Sequence, residues 1–479
     1  MKKSSGILLH ISSLNNDSVG TLGIEAYNFV DFLEKAHQHL WQVLPLNPTS
    51  YGDSPYQSPC TFAYNPYFIS LDELVKDGLL DSYDKTKLGR GINYELLFKN
   101  KLNILRKCYK NLFKVKKEYE KFKDNNRSWL TDYAIFTLLK EKNNYKPWYE
   151  WKDFKKYNKN EINHFVNNNY VAVDEIRFIQ FLFYRQWMKL KKYANKKGIK
   201  IIGDIPIYVA YDSVDCWKNP HIFELDKDLK PINVAGCPPD YFSSYGQLWG
   251  NPLYRWDYLK KTNYTWWVER IKKVSEIYDI IRIDHFRAFA GYFKIPFGKD
   301  PCDGKWVKGP GIELFNEINK HVKCEIIAEN LGFLDDSVHE LLHDTGYAGM
   351  NVMQFEFGPK EEFKAGYDYN NVLYSGTHDN ENLLAWYKSL DSETLKRVNK
   401  TCGLRSNSKD PHLKLIDCCM KQKCKYVIIP IQDYLGLTDA RMNIPSELGG
   451  NWLYQMKYDD LSKKLINTVK KITLENKRG

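Results

Sequence analysis

Three acidic residues stand where an apolar, β-branched run has just ended: Asp284 after Ile280-Ile-Arg-Ile283, Glu329 after Glu325-Ile-Ile-Ala328, and Asp379 shortly after Val372-Leu-Tyr374. A carboxylate at the end of a buried strand is costly to desolvate unless it is paired or useful. One such acid is explained as well by structure as by chemistry; three in the same setting are harder to dismiss. Arg282 precedes Asp284 by two residues, so both side chains leave one face of the strand. A cation that close favours the ionised carboxylate a nucleophile requires, although an inert buried ion pair would read the same way. Glu329 has no adjacent cation, its neighbours being Ala328 and Asn330. Facing an ionised Asp284 and partly desolvated, it should keep a proton and be able to give it to a leaving oxygen. Two carboxyls with separated proton affinities, about 5–5.5 Å apart, are what retaining glycosidic chemistry uses.

His285 and His378 each adjoin one of these acids. Neither has a Gly-x-Ser-x-Gly serine to serve, and their spacing matches no common metal site. Hydrogen bonding to sugar hydroxyls is the better reading, with a core histidine satisfied by backbone as the plain alternative. There is no phosphate-cradling or dinucleotide glycine pattern, Gly376-Thr-His being too short, and no EF-hand loop. No metal and no cofactor is expected.

Side chains from distant segments meet only if the chain positions them, and eight short apolar runs can do so: 6–11, 40–45, 200–205, 279–283, 324–328, 350–355, 371–375 and 425–429. Such near-continuous runs read as strands buried on both faces. Helical segments separate most of them; Ala26, Phe29, Val30 and Leu33, for example, form a stripe at helical spacing. The pattern predicts a (β/α)8 TIM barrel spanning 1–479 as one unit, with chemistry at the C-terminal ends of its strands. The long gap after the second run predicts an inserted, mainly helical subdomain at 71–180. Residues 208–256, dense in Pro, Gly and aromatics, read as a loop-rich insertion over the active site.

Composition is consistent with this. Aromatics make up 15% of the chain, including 34 Tyr and 13 Trp, and flat amphipathic rings pack well on sugars, though they also fill cores. The net charge of +11 raises nucleic acid as a partner, but the lysines are dispersed, and clusters at 114–117 and 189–192 suit solvated helix faces. The ten cysteines show neither CxxC pairs nor metal spacing, as expected of reduced thiols. The apolar run after Met-Lys-Lys is too short for a signal segment, and no stretch is long enough to span a membrane. A cytoplasmic protein with neither nucleic-acid nor membrane partners is expected.

Ten segments then stand in order along nearly the whole chain: Gly6-Ile-Leu-Leu-His10, Trp41-Gln-Val-Leu-Pro-Leu46, Tyr51-Gly-Asp-Ser-Pro-Tyr-Gln57, Gly203-Asp-Ile-Pro-Ile-Tyr-Val209, Pro238-Pro-Asp-Tyr-Phe242, Gly246-Gln-Leu-Trp-Gly-Asn-Pro252, Arg282-Ile-Asp-His-Phe-Arg287, Ala328-Glu-Asn-Leu-Gly332, Gly376-Thr-His-Asp-Asn380 and Ala440-Arg-Met-Asn443. Together they resemble the 4-α-glucanotransferase family (amylomaltase or disproportionating enzyme, glycoside hydrolase family 77). The resemblance implies a (β/α)8 barrel with inserted subdomains and no separate C-terminal β-domain. It implies that Asp284 forms a glucosyl-enzyme, that Glu329 is the acid/base, and that Asp379 stabilises the transition state while gripping ring hydroxyls. Asp204, Arg282, His285 and His378 would surround the transferred ring, with Asn443 also binding substrate. The stretch 238–252 resembles a mobile loop over the acceptor side, with Trp249, Gly250 and Asn251 in its motif. Tyr241, Phe242, Tyr245 and Trp249 are placed to form an aromatic cover. Tyr51, Asp53 and Tyr56 resemble a region contacting longer chains. The implied substrates are α-1,4-glucans, maltooligosaccharides or starch- and glycogen-derived chains, with glucose as an acceptor. A retaining hydrolase and a non-catalytic glucan-binding protein are the alternatives. The chain departs from the family pattern at Asn47, Tyr64 and Asn382, and its 12–22 loop lacks the usual prolines, which leaves chain-length preference open.

Overall fold

Twelve strands are found in the computed structural model of the protein, which describes residues 3–239, 245–332, 334–357, 368–405, 408–447 and 449–479. In chain order they are β1 (Ser4–Leu8), β2 (Leu40–Gln42), β3 (Lys200–Ile205), β4 (Asn233–Cys237), β5 (Gln247–Pro252), β6 (Ile280–Ile283), β7 (Gly291–Pro296), β8 (Lys305–Lys308), β9 (Glu325–Ala328), β10 (Ala348–Val352), β11 (Asn371–Tyr374) and β12 (Tyr426–Pro430). Eight of them close into a barrel in the order β1-β12-β11-β10-β9-β6-β3-β2, every neighbouring pair parallel.

All eight apolar runs contribute to a barrel strand, and the predicted (β/α)8 barrel is the fold found. The bounds differ most in three places. The first strand ends at Leu8 rather than Ile11, the second at Gln42 rather than Pro45, and the 350–355 run is split between β10 and a 3-10 helix, Met353–Phe357. In each case apolar residues stay buried after the strand has ended, so apolarity alone does not mark the end of the strand.

Alternation along the strands sorts their side chains into two cores. Ile202, Ile280, Ile327, Val372 and Ile428 belong to the cluster that fills the barrel. Ile201, Ile281, Ile283, Ile326 and Leu373 belong to the larger cluster shared with the outer helices. Parity therefore directs Asp204, Arg282, Asp284 and Glu329 to the inner side, in step with Ile202, Ile280 and Ile327.

Between β2 and β3 the chain forms several short helices and two long ones, Leu130–Lys142 and Tyr170–Lys196, which pack together before β3 begins. The stretch 208–256, read as loop-rich, contains β4 and β5. They join β7 and β8 in an antiparallel sheet ordered β5-β4-β7-β8. Its partners come from beyond β6, and pairing across such a separation leaves no local trace in the sequence. After β12 the described residues form helices only, ending with Lys463–Glu475.

Arg478 closes the far end of the barrel. Its buried guanidinium donates to the carbonyls of Met420 (2.7 Å), Gln422 (2.6 Å), Cys424 (3.1 Å) and Ser4 (3.2 Å), tying the last helix to β1 and to the entry of β12. Arg478→Met should leave these acceptors without partners and lower the unfolding free energy by about 2–4 kcal/mol. A reduced urea midpoint with unaltered native activity is the expected measurement.

Candidate active site

The chemistry predicted from sequence converges at the C-terminal rim of β3, β6 and β9. Register pairs Ile205 with Ile283 and Ile283 with Ala328, so Asp284 and Glu329 leave neighbouring strands side by side. Each is held by one further ladder bond: Asp284 N–H donates to Ile205 O (2.9 Å), and Glu329 N–H to Ile283 O (3.0 Å). Adjacent strands lie about 4.8 Å apart, so the two carboxyl groups emerge next to each other at the rim.

Beneath them, Arg282 Nη1 donates to both carboxylate oxygens of Asp204 (2.8 and 2.7 Å) and to Asp284 Oδ1 (2.8 Å). Tyr56 Oη donates to Asp204 Oδ2 (2.7 Å). The Arg282 side chain is 5% exposed and that of Asp284 28%, so the cation is inside the protein and the carboxylate at the surface of the cleft. On the outer side of β3, Tyr278 packs against Gly203; a Cβ there would come within 2.1 Å of its ring, so only glycine allows that approach.

Glu329 is 8% exposed. Its Oε2 accepts from the His285 amide (2.6 Å) and its Oε1 from the Leu331 amide (2.8 Å). Burial, and then the negative charge of Asp284, outweigh Arg282 and these amides and push the Glu329 carboxyl up to about 7. His285 sits in the left-handed region (φ 53°), where the chain turns sharply from β6 into a short 3-10 helix, Phe286–Phe289. Burial depresses its imidazole to about 4, so it is neutral beside the acids.

Asp379 forms the opposite wall. Asn443 Nδ2 donates to its Oδ1 (2.6 Å), His378 Nε2 lies 3.2 Å from its Oδ2, and Arg441 donates to its main-chain oxygen. Burial works to raise this carboxyl, but His378 and Asn443 prevail and hold it below the usual range. His378 stacks on Tyr56 with ring centroids 5.0 Å apart, and Trp452 stands 6.0 Å from each, giving one wall an aromatic floor.

These groups line one cleft of about 2650 Å³. Asp53, Tyr56, Trp249, Asn251, Arg282, Asp284, His285, Glu329, His378, Asp379 and Asn443 all reach its surface. Asp204 does not; it lies one layer below and acts on the cleft through Arg282 and Tyr56. Gly250 is also absent from the lining, although its neighbours on β5 are present. Trp249 meets His285 edge to face at 4.8 Å, and Asn251 is anchored on Val209 O (2.8 Å). Tyr241 and Phe242 lie outside the described residues, as does the side chain of Tyr51. Gln354, Trp306, Arg441 and Trp452 line the cleft without standing out in the sequence as site residues, except that Arg441 falls within the last motif.

The departures from pattern have local roles. Asn47 donates to the carbonyls of Thr61 (3.0 Å) and Ala63 (2.9 Å), Tyr64 stacks on Phe183 (4.9 Å), and Asn382 accepts from Ala440 N–H (2.8 Å). Among the described residues no group of three or more His, Cys, Asp or Glu is arranged to hold a metal, and no helix is long and apolar enough to cross a membrane.

The sequence profile of the family described as 4-alpha-glucanotransferase matches residues 9–461. A 4-alpha-glucanotransferase of Clostridium butyricum is 44% identical over 97% of this chain and 99% of its own. One from Streptococcus pneumoniae is 42% identical over 96% and 94% respectively. Among solved structures, the amylomaltase from Streptococcus agalactiae in complex with acarbose superposes with a TM-score of 0.96 at 38% identity, covering 100% of both chains. The Corynebacterium glutamicum amylomaltase, at 17% identity and a TM-score of 0.79, shares the fold.

Carboxyl titration followed by carbon NMR should place Glu329 near pH 7. In Asp284→Asn the repelling charge is gone, so the Glu329 midpoint should move down; a midpoint that stays in place would refute the electrostatic coupling of the two acids.

Proposed function

This chain belongs to the 4-alpha-glucanotransferase family, glycoside hydrolase family 77, and from that premise we propose that Asp284 is its nucleophile, Glu329 its general acid/base and Asp379 its transition-state stabiliser. The enzyme transfers α-1,4-glucan segments from a donor chain to an acceptor by a retaining double displacement. In the first half, Asp284 attacks the anomeric carbon while Glu329 gives its proton to the departing glucan oxygen, leaving a glucosyl-enzyme. In the second, Glu329 takes the proton from the 4-hydroxyl of an acceptor, which attacks the same carbon and releases Asp284. One α-1,4 bond replaces another, so the net free-energy change is close to zero.

The observation that carries this assignment is the division of charge between the two neighbouring acids. Arg282 donates to Asp284 at 2.8 Å, while burial and then the charge of Asp284 push Glu329 up to about 7, where it can both donate and accept a proton. Asp379, fixed by Asn443 and His378, is placed to hold ring hydroxyls and to face the positive charge of the oxocarbenium-like transition state. Tyr56 and His378 offer a stacked surface for the transferred ring. Trp249 and Asn251 belong to the wall that would orient the acceptor and exclude water. Effective molarities near 10⁵ M or more for an oriented hydroxyl exceed the concentration of water, so positioning decides in favour of transfer.

We take free glucose to be one acceptor, because the acceptor needs only a 4-hydroxyl brought to Glu329. The ten cysteines, all free, support a reducing, cytoplasmic setting.

With maltotriose as sole substrate, the expected products are glucose and a ladder of longer maltooligosaccharides; glucose and maltose alone would instead indicate hydrolysis. Labelled glucose should enter that ladder. Asp284→Asn should lower the rate by about 10³-fold or more, and full turnover in that variant would remove the assigned nucleophile.

A further inference from the structure

On β8, at the edge of the antiparallel sheet, Trp306 is left 40% exposed and lines the cleft, yet none of the roles above uses it. The ring is braced. The Arg287 guanidinium stacks over it, 3.7 Å from the ring centroid. Arg287 is itself immobilised by donating to Gly291 O (3.0 Å) and Asp335 Oδ2 (2.9 Å). On another side the Phe293 ring meets Trp306 edge-on at 5.1 Å, and a Cβ on Gly304 would come within 2.3 Å of Phe293, so glycine there lets the support approach. A large aromatic held in place before any ligand arrives has already lost its rotamer freedom, and its remaining surface faces the substrate channel.

The brace also fixes which side of the reacting bond Trp306 serves. Arg287 belongs to the 3-10 helix Phe286–Phe289, which begins at His285, whose amide holds Glu329. Asp335 caps the helix Asp336–Thr345, in the segment that continues from Glu329 through Leu331 and Gly332, both on the cleft wall. The group that protonates the leaving oxygen faces the leaving-group side, which the acceptor then occupies. The Tyr56–His378 stack, by contrast, stands beside Asp379.

We propose that Trp306 is a stacking platform for a glucose unit of the acceptor chain and so determines how well longer acceptors compete with water. This rests on the transferase reading above. The apolar face of a pyranose ring fits the indole surface, and an aromatic contact of this kind contributes on the order of a 5- to 10-fold change in affinity.

The test uses α-maltotriosyl fluoride as donor and maltose as acceptor, following fluoride release and chain products separately. In Trp306→Ala the KM for maltose should rise about 5- to 10-fold and the share of hydrolysis should increase, with kcat at saturating maltose changing much less. Trp306→Tyr should restore most of the acceptor dependence. An unchanged KM for maltose in Trp306→Ala overturns the platform, as does a loss of fluoride release that tracks a lowered Tm, which would make the residue only a cap on Arg287. A wild-type enzyme that releases fluoride but forms no longer chains would instead overturn the transferase reading on which the platform rests.

Discussion

A guanidinium sealed inside the barrel governs the electrostatics of everything above it. Arg282 is surrounded by protein and would be expensive to bury alone, since an unpaired interior charge costs several kcal/mol. It is tolerated because Asp204 accepts from it through both oxygens and Asp284 through one, and because Tyr56 completes the shell around Asp204. The positive charge is fixed by these contacts and, at 5% exposure, largely shielded from solvent. Asp284, with its side chain 28% exposed, presents its carboxyl group to the cleft.

The state of Glu329 follows first from its burial and then from the neighbouring Asp284. Two carboxyls at the ends of adjacent strands cannot both ionise freely, and the one without a cation keeps its proton. Its amide partners, from His285 and Leu331, orient the carboxyl without reversing the shift. The first of these comes from a histidine held in the left-handed region directly after Asp284, a conformation non-glycine residues adopt rarely. Backbone strain at that turn is thus coupled to the aim of the acid on the next strand.

Around this centre, five separate pieces of chain build the walls. The segment before β3 brings Asp53 and Tyr56, the antiparallel sheet brings Trp249, Asn251 and Trp306, and the segments after β11 and β12 bring His378, Asp379, Asn443 and Trp452. In the proposed function these aromatic surfaces, braced by ion pairs and ring contacts, serve as a preformed track for a flexible chain of sugars. Transfer in place of hydrolysis depends on such a track holding the acceptor hydroxyl where water would otherwise stand.

Much of this was legible in the amino-acid order. The eight apolar runs, the three acids at strand ends and the two-residue spacing of Arg282 and Asp284 are local patterns, and local patterns record strand periodicity and which face a side chain takes. The proposed separation of roles between Asp284 and Glu329 likewise starts from which acid has a cation two residues before it in the sequence. Tertiary structure alone decided the rest. That Asp204 supports the site from below, that Tyr56 stacks on His378, that residues 233–252 pair with 291–308 in a sheet, and that Arg287 braces Trp306 are all contacts between segments far apart in the chain. Such contacts depend on register, on the closure of the barrel and on side-chain packing in three dimensions, and no residue's immediate neighbours encode them.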